Sequence, residues 1–599
     1  MLNQIRQLLC DNLRISSSVS SAQMAALRLG FRAAMIALLG GLSALSMCAQ
    51  CKFPASQTGR VLTFSFAPEE GGSGAILQVT VRFQGNANGS EPIEVPVEWA
   101  GENLHSVSNL RALSDATTIE STSDPGENIV HYPPNSAVTL AYDLAKDWQG
   151  PLRQPYQFHP VIMPQYLEIT GENSLVFPRT DRAARVTADF DFHGLPNDWS
   201  LATSFGAPAT HADYCQSFSG AWEGVARGLF AAGDFRIHRF QIGRRPAVLA
   251  IRSQWTFTDD QAIGEIQKVV GIVRDFWHDD NFPYFLVTLK PYDEDHGHGD
   301  GSAFTNAFWI YMSRLDPFET KLTTLAHESF HAWNPGRMGE YASYEDWDWF
   351  KEGFTTYYAD KLVYLAGLMP LSAYIESLNR DLRRYPGTDD PYIRGRGIAV
   401  WLDGEIRAES HGKKSLDNAM FDMVAGARKP ITLERILATA DRYLSPWAQR
   451  RMQAAANGGP IPAPAANAAL PGCTALSVSI EQLPLFDLGF DLRASILAHQ
   501  VVGVRQDGPA YKAGLRNGQE LTHSSVYNGQ PDKLASFTVG VSGVSKVIEI
   551  LSARQNRVRP SVPPRFAGPR RPSRIAPPPL TQFLAGVQGC SEGTAIAPN

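Results

Sequence analysis

Residues 325 to 334 constrain this chain more than any other stretch, because they carry the pattern H-E-x-x-H. Apolar and small side chains recur at helical spacing across residues 318 to 333, which predicts a helix there. On a helix, His327 and His331 lie about 6 Å apart along the axis and point the same way. Such a pair can supply two zinc ligands, with Glu328 beside them as the base that takes a proton from water.

A third metal ligand is predicted at Glu352, within the segment W-F-K-E-G-F-T-T-Y-Y that begins at Trp349. It follows His331 by 21 positions, enough for a loop and a second helix that faces the first. Two histidines and one carboxylate leave a coordination position open for water, as in catalytic zinc sites. We therefore expect one Zn²⁺ per chain. The alternative is that these three side chains are ordinary surface or core residues.

Taken together, A-H-E-S-F-H-A-W-N and W-F-K-E-G-F-T-T-Y-Y resemble the motifs of the glycyl aminopeptidase family of bacterial metallopeptidases, within the thermolysin-like (gluzincin) superfamily. The resemblance covers the chain from about residue 247 to the end of its globular part. It implies a multidomain α+β protein with an N-terminal β-rich domain at 51–244 and a mainly helical, thermolysin-like catalytic domain at 245–453. A PDZ-like domain at 475–553 is implied to follow.

The segment P-Y-I-R-G from Pro391 is similar to a P-Y-x-K-G segment of related aminopeptidases, in which the tyrosine hydroxyl stabilises the oxyanion. The resemblance implies this role for Tyr392; the alternative is a tyrosine that packs by its ring. Arg394 or Arg396 is a candidate for holding a substrate carboxylate, and the alternative for both is an ion pair with nearby acids.

Related aminopeptidases carry a G-G-L-E-H-type segment before the zinc helix, and its glutamate holds the free ammonium of the substrate. This chain instead has G-H-G-D-G-S-A-F-T-N from Gly297. Asp300 is the candidate replacement, with Asp293, Glu294 and Asp295 as alternatives. Two activities therefore stay open: an aminopeptidase that removes N-terminal Gly or Ala, and an endopeptidase or oligopeptidase with altered N-terminal recognition.

Length and composition predict several domains and give no reason to expect a nucleic-acid partner. A chain of 599 residues exceeds one hydrophobic core, and the net charge is −6. Short β-like runs between clusters of Gly, Asn, Ser and Pro extend from residue 59 to about 241 and predict a β-sandwich-like domain. Residues 454–474 are interpreted as an Ala/Pro linker, and 554–599 as an Arg/Pro-rich tail.

Three local patterns divide the predicted catalytic domain. Asp259 or Asp260 is expected to cap a helix. The run at 284–289 predicts a buried strand. Ser415 is expected to begin a helix pair that ends near Met452.

The C-terminal region resembles a PDZ domain around Leu488, Gly489 and Phe490. In that family the loop offers backbone N–H groups to a peptide carboxylate, and an extended peptide adds to the sheet edge. Asp487 stands where PDZ loops have glycine, which places a negative charge near an anionic ligand. Peptide capture and a docking role are both open, and a peptide-binding protein with a vestigial zinc site is the competing function.

Residues 1–50 are interpreted as an export signal, because two arginines precede an apolar run of about 15 residues, shorter than a bilayer span. The segment predicts a periplasmic or secreted protein whose partner is a peptide or protein substrate. A lipid anchor at Cys48 is the alternative.

The cysteines raise a question of pairing. Cys473 and Cys590 bracket the C-terminal domain, so a disulfide between them is one prediction for an oxidising compartment. The alternative is that they are unpaired, or pair with Cys51 or Cys215.

Overall fold

The computed structural model describes residues 51, 59–68, 76–152, 156–208, 214–292, 299–339, 348–384, 390–427, 430–462, 469–470, 474–475, 477–480, 487–526, 533–541, 544–551 and 564–567. The predicted export signal with Cys48, most of the predicted tail, the acidic alternatives at 293–295, and both Cys473 and Cys590 lie outside these residues. Within them, no helix has both the length and the apolar character that crossing a membrane requires.

The strands and helices that follow are numbered in chain order. The strands are β1 (Arg60–Pro68), β2 (Ile76–Gln84), β3 (Ser90–Glu94), β4 (Glu98–Trp99), β5 (Glu102–Asn103), β6 (Val107–Ala112), β7 (Thr118–Ser121), β8 (Glu127–His131), β9 (Ala137–Ala145), β10 (Val161–Met163), β11 (Tyr166–Thr170), β12 (Phe177–Pro178), β13 (Arg185–Phe192), β14 (Ser200–Thr203), β15 (Cys215–Ala221), β16 (Leu229–Gly233), β17 (Arg236–Ile242), β18 (Arg245–Ile251), β19 (Phe285–Tyr292), β20 (Gly299–Phe304), β21 (Ala307–Ser313), β22 (Ala469–Leu470), β23 (Thr474–Ala475), β24 (Ser477–Ile480), β25 (Glu520–Ser525), β26 (Leu534–Val541), β27 (Val544–Leu551) and β28 (Pro564–Ala567). The α-helices are α1 (Gly171–Ser174), α2 (Trp222–Ala226), α3 (Asp259–Trp277), α4 (Leu322–Phe330), α5 (Thr355–Leu365), α6 (Leu371–Arg384), α7 (Pro391–Glu409), α8 (Leu416–Ala425), α9 (Leu433–Ala440), α10 (Pro446–Ala456), α11 (Leu492–Leu497) and α12 (Pro509–Ala513).

The N-terminal region is β-rich, which confirms the predicted character of this part of the chain. Its largest sheet has the order β15-β13-β1-β2-β9-β6, and two four-stranded sheets follow the orders β10-β11-β16-β14 and β12-β3-β8-β7. The strands form because apolar side chains alternate with polar ones. In β2, for example, Leu77, Val79, Val81 and Phe83 are buried.

A disulfide joins Cys51 to Cys215 across 164 positions of this region. It ties the chain just before β1 to the start of the edge strand β15. This pairing excludes the alternative in which either cysteine bonds to Cys473 or Cys590.

A mixed five-stranded sheet with the order β17-β18-β19-β21-β20 begins the predicted catalytic domain. Strands β18, β19 and β21 are parallel neighbours, whereas β17 and β20 are antiparallel edges. All residues of β19 and β21 are buried, as expected of strands covered on both faces. The buried strand predicted at 284–289 is thus β19. Because β17 belongs to this sheet, the sheet starts inside the range assigned from sequence to the N-terminal domain.

The two faces of this sheet pack against different parts of the molecule. One face carries Leu249, Ile310 and the alternate side chains that point the same way. This face packs in one core with helices α3 to α10. Trp309 and Tyr311 point the other way, into a core shared with the N-terminal strands β10, β11, β14 and β16. The edge strand β20 therefore runs along the junction between the N-terminal domain and the helices.

Two local predictions in the helical part were wrong. Thr258, not Asp259 or Asp260, caps α3, and its side chain accepts a hydrogen bond from the backbone N–H of Gln261. A hydroxyl at this position completes a reciprocal capping box with Gln261, and Asp259 instead lies in the first turn. Ser415 does cap a helix, but three helices rather than two follow it, and the last, α10, extends beyond residue 453.

The C-terminal domain has a small core of its own. Strands β25, β26 and β27 form an antiparallel sheet against α11 and α12, with Phe537, Val539 and Ile548 in the interior. The PDZ-like assignment of this domain stays a prediction.

Candidate zinc-peptidase site

Helix α4 and the turn that follows α4 place His327 and His331 together. Their Nε2 atoms are 3.0 Å apart, and the two side chains are each 12% exposed. The predicted helix over 318–333 is shorter in the structure: a 3₁₀ turn at Phe318–Lys321 precedes α4, and α4 ends at Phe330. His331 is thus the residue that caps the helix C-terminus.

Glu352 completes a triangle with the two histidines. It lies on a π-helical turn, Trp349–Phe354, that leads directly into α5. Its Oε2 is 3.1 Å from Nε2 of His327 and 3.4 Å from Nε2 of His331. A tetrahedral zinc ion with ligands at about 2.0–2.1 Å has ligand separations of about 3.3–3.4 Å. The 3.4 Å separation matches, and the separations of 3.0 and 3.1 Å are slightly shorter, so the three atoms converge as the ligands of one metal ion do.

Hydrogen bonds fix the two imidazoles in the tautomer that a metal needs. Nδ1 of His331 lies 2.8 Å from the carbonyl oxygen of Asn334, so this nitrogen carries the proton. The Thr356 hydroxyl donates to the carbonyl oxygen of Glu352 at 2.8 Å and can therefore only accept from Nδ1 of His327, 3.3 Å away. Both Nε2 atoms then present lone pairs to the same point.

Asn334 connects the loop after α4 to the turn that carries Glu352. It is fully buried, and its side-chain N–H₂ group donates to the carbonyl oxygens of Phe350 and Lys351 and to the Thr355 hydroxyl. The sequence analysis assigned no role to Asn334, although it is the last residue of the motif A-H-E-S-F-H-A-W-N. The side chain holds the third ligand against the helix of the first two.

Lys351 is a further residue that sequence reasoning missed. Its Nζ lies 2.7 Å from Oε1 of Glu352, the oxygen that does not face the histidines. Burial alone would raise the pKa of Glu352, but His331, His327 and Lys351 together hold it well below its usual range. The one sequence feature that could have indicated this role is that Lys351 directly precedes Glu352.

Replacing Lys351 by methionine is expected to weaken zinc binding about 10–100-fold, because Glu352 loses the partner that orients its carboxylate. Competition with a chromogenic chelator measures this directly, without reference to activity. Lys268→Met is the matched control, since Lys268 is 57% exposed and pairs with Glu265 on α3. Equal zinc affinity in the Lys351 variant and the wild type would contradict the role.

Glu328 lies beside the three candidate ligands, under the edge strand β20. A Cβ atom on Gly301 of β20 would be 3.3 Å from Cγ of Glu328, so a glycine lets the strand pass close to this carboxylate. Burial raises the pKa of Glu328 to about 7, with a further contribution from Glu352 that His327 opposes. A carboxyl tuned to this range is suited to accept and return a proton near neutral pH.

Tyr392 stands at the N-terminus of α7, where Asp390 accepts from its backbone N–H. Its ring stacks on His327 with 5.8 Å between centroids, and its hydroxyl lies near enough to Glu352 for that carboxylate to raise the pKa of the phenol. The residue is 45% exposed, which places it at the open side of the site. Burial of the hydroxyl end and the charges of Glu352 and Glu328 raise the pKa of Tyr392 well above its ordinary value, so the hydroxyl remains a donor.

Asp300 lies on β20, paired with Tyr311, and its side chain shares the face of the sheet that meets the N-terminal domain. Gln157 from that domain donates through Nε2 to Oδ2 of Asp300 at 2.8 Å. Gln157 is fully buried, and its Oε1 has no partner among the described residues. Asp300 and the amide oxygen of Gln157 thus meet at the domain junction, where the charge of Asp300 still reaches Glu328 and Tyr392 and raises the pKa of both. Gln157 was not foreseen.

The structure does not support Arg394 as a substrate-binding residue. Its guanidinium donates to the carbonyl oxygens of Ala455 and Gly459, beyond the far side of α7. Arg396 is buried in ion pairs with Asp360 and Asp381, in agreement with the alternative considered for it.

The loop at Leu488, Gly489 and Phe490 makes a hydrogen bond within the C-terminal domain. The backbone N–H of Gly489 donates to Oδ1 of Asp487 at 2.9 Å, and the other oxygen of Asp487 accepts from Arg505. The chain then continues into α11 instead of a strand. The N–H group of Gly489 is thus occupied by Asp487, and the peptide-binding role of this loop stays a prediction.

The sequence from residue 320 to residue 402 matches the family model described as M61 glycyl aminopeptidase. This segment contains His327, Glu328, His331, Glu352 and Tyr392. No curated protein matches the sequence.

Two solved structures are similar to this chain over most of its length. An aminopeptidase N family protein from Idiomarina loihiensis is 15% identical, with a TM-score of 0.61, and the alignment covers 84% of this chain and 98% of that one. An M1 zinc metallopeptidase from Deinococcus radiodurans is 14% identical, with a TM-score of 0.44, 68% of this chain covered and 96% of its own. The Idiomarina protein shares the fold of this chain. With the family match and the ligand geometry, the predicted enzyme class, a zinc aminopeptidase, is confirmed.

Proposed function

We propose that this chain is an exported zinc aminopeptidase that removes small residues, Gly or Ala, from the N-termini of peptides. The observation that carries the proposal is the pairing of Asp300 with Gln157 beside Glu328. Two oxygen acceptors in a largely buried position suit a substrate ammonium, because a buried cation needs charge and hydrogen-bond partners. Asp300 replaces the glutamate of the family motif at this place.

The residues divide the reaction between them. His327, His331 and Glu352 would hold a zinc ion, which would supply an activated water and polarisation of the scissile carbonyl. Glu328 takes the proton from the attacking water and returns it to the leaving amine.

The remaining groups hold the substrate and the charge that develops on it. The Tyr392 hydroxyl donates to the developing oxyanion. Asp300 and Gln157 hold the free ammonium, which sets the scissile bond one residue from the N-terminus.

Aromatic side chains beside the amine anchor support a preference for small N-terminal residues. Trp309 is fully buried on the face of the sheet that carries Asp300, and Trp99 packs 5.7 Å from it and 5.6 Å from Phe158, the neighbour of Gln157. We infer that these rings limit the room for the first side chain of a substrate. The preference itself is the one implied by the family resemblance.

The disulfide between Cys51 and Cys215 supports the proposal of export, because such bonds persist in oxidising compartments. It agrees with the interpretation of residues 1–50 as an export signal.

Asp300→Asn is expected to lower kcat/KM for Gly-anilide about 10–100-fold, because an ammonium loses its charged acceptor while the shape of the site is kept. N-blocked peptides provide the internal control, since an aminopeptidase does not cleave them. The measurement compares Gly-, Ala- and Leu-anilides with N-acetylated peptides on both proteins. Efficient cleavage of blocked peptides by the wild type would instead establish the endopeptidase, and zinc without any hydrolysis would favour the peptide-binding protein.

A further inference from the structure

Helix α7 crosses the π-helical turn that carries Glu352 at a contact between two glycines. A Cβ atom on Gly395 would lie 1.7 Å from the carbonyl oxygen of Trp349, and one on Gly353 would lie 2.2 Å from Cα of Gly395. Ordinary contacts of these kinds are about 3.3–4.0 Å long. The two backbones therefore touch directly, and no side chain larger than hydrogen fits at either position.

This contact lies between two groups of the candidate site. Gly353 directly follows Glu352, and Gly395 lies almost one turn after Tyr392 on α7. The Tyr392 ring stacks on His327, 5.8 Å between centroids, and its hydroxyl is close enough to Glu352 for that carboxylate to raise its pKa. The distance between the two backbones thus fixes how far the phenol stands from the third metal ligand.

We propose that Gly353 and Gly395 are positioning residues that set the Tyr392 hydroxyl relative to the metal site. The proposal rests on the role proposed above for that hydroxyl. A methyl group on Gly395 requires a displacement of about 1.6 Å to reach an ordinary contact. Catalytic groups tolerate about 0.5 Å, and a misplacement of 1 Å can cost about 10²-fold in rate.

The first test is Gly395→Ala, assayed with Gly-anilide. We expect kcat to fall about 10²-fold, KM to change less than about threefold, and zinc content to stay at the wild-type value. Gly397→Ala is the matched control on the same helix, because its Cβ would meet only the end of the flexible Ile461 side chain. Alanine is otherwise favoured over glycine inside a helix, so a loss of activity would come from the contact and not from helix propensity.

A double-mutant cycle with Tyr392→Phe distinguishes positioning from general packing. If Gly395 acts through the hydroxyl, the double variant should be no slower than the slower single variant, because the hydroxyl is lost in both. Gly353→Ala can replace Gly395→Ala in a second cycle with Tyr392→Phe. We expect reduced zinc affinity in this variant as well, because Glu352 is its neighbour.

Four outcomes would overturn the proposal. A Gly395→Ala variant with wild-type kcat would show that the contact has no effect on the site. Multiplicative losses in the double variant, or unfolding and zinc loss in both alanine variants, would assign the glycines to core packing alone. Full activity of Tyr392→Phe by itself would remove the proposed role of the hydroxyl, and with it the function of the contact.

Discussion

Glu328→Gln is expected to retain zinc and to lose about 10²–10⁴-fold in kcat, the largest loss among the variants considered. Glutamine keeps the shape of the side chain but cannot accept the proton that the attacking water must lose. The three metal ligands are left unchanged, so zinc content should match the wild type. Zinc analysis together with turnover of Gly-anilide measures both quantities on the same sample.

The pH dependence of kcat/KM tests the role of Glu328 independently. Glu328 acts as a base only when ionised, so kcat/KM of the wild type should rise with pH through the pKa of this carboxyl. Burial raises that pKa from 4.5 to about 7, and a bound cation lowers it again, which places the acid limb between pH 4.5 and 7. Glu319→Gln is the control, since Glu319 is exposed just before α4. Turnover within tenfold of wild type in Glu328→Gln would require a different base.

Tyr392→Phe is expected to lower kcat about 10²–10³-fold with little change in KM. The substitution removes the hydroxyl but keeps the ring that stacks on His327, so the metal site should stay intact. The raised pKa of Tyr392 keeps the hydroxyl protonated through the neutral range, and the loss should therefore be the same from pH 6 to pH 9, roughly.

Steady-state kinetics with zinc analysis separates this role from a structural one. Tyr511→Phe in the C-terminal domain is the control, because that ring stacks under Arg516 far along the chain from the site. A larger effect on KM than on kcat would show that Tyr392 binds the ground state rather than the oxyanion.

The candidate metal triad was accessible from sequence because helical spacing fixes how residues four apart lie relative to each other. His327 and His331 needed only a local helix. Glu352 needed in addition a motif that recurs in a known family. The same local geometry argues against Arg394, because residues two apart on a helix point about 200° apart and Tyr392 faces the site.

Gln157 and Thr258 show why the rest was not predicted. Gln157 is 143 positions from Asp300 and reaches it only because the N-terminal domain packs on the catalytic sheet. No local pattern encodes such a contact. Thr258 was missed for a smaller reason: three potential capping residues adjoin one another, and the fold selects the one whose hydroxyl completes the capping box.

The proposed amine anchor, shared between two domains, has a consequence for how this enzyme can change over time. One half of the anchor belongs to a β-rich domain that contains none of the chemistry, so the catalytic unit is not portable on its own. If the catalytic domain were transferred to another scaffold, it would keep the residues for bond cleavage. It would lose Gln157, and with it half of the proposed site that holds the substrate ammonium one residue from the scissile bond. Substitutions on either side of the domain boundary can therefore change substrate specificity. The residues that transfer protons would stay the same.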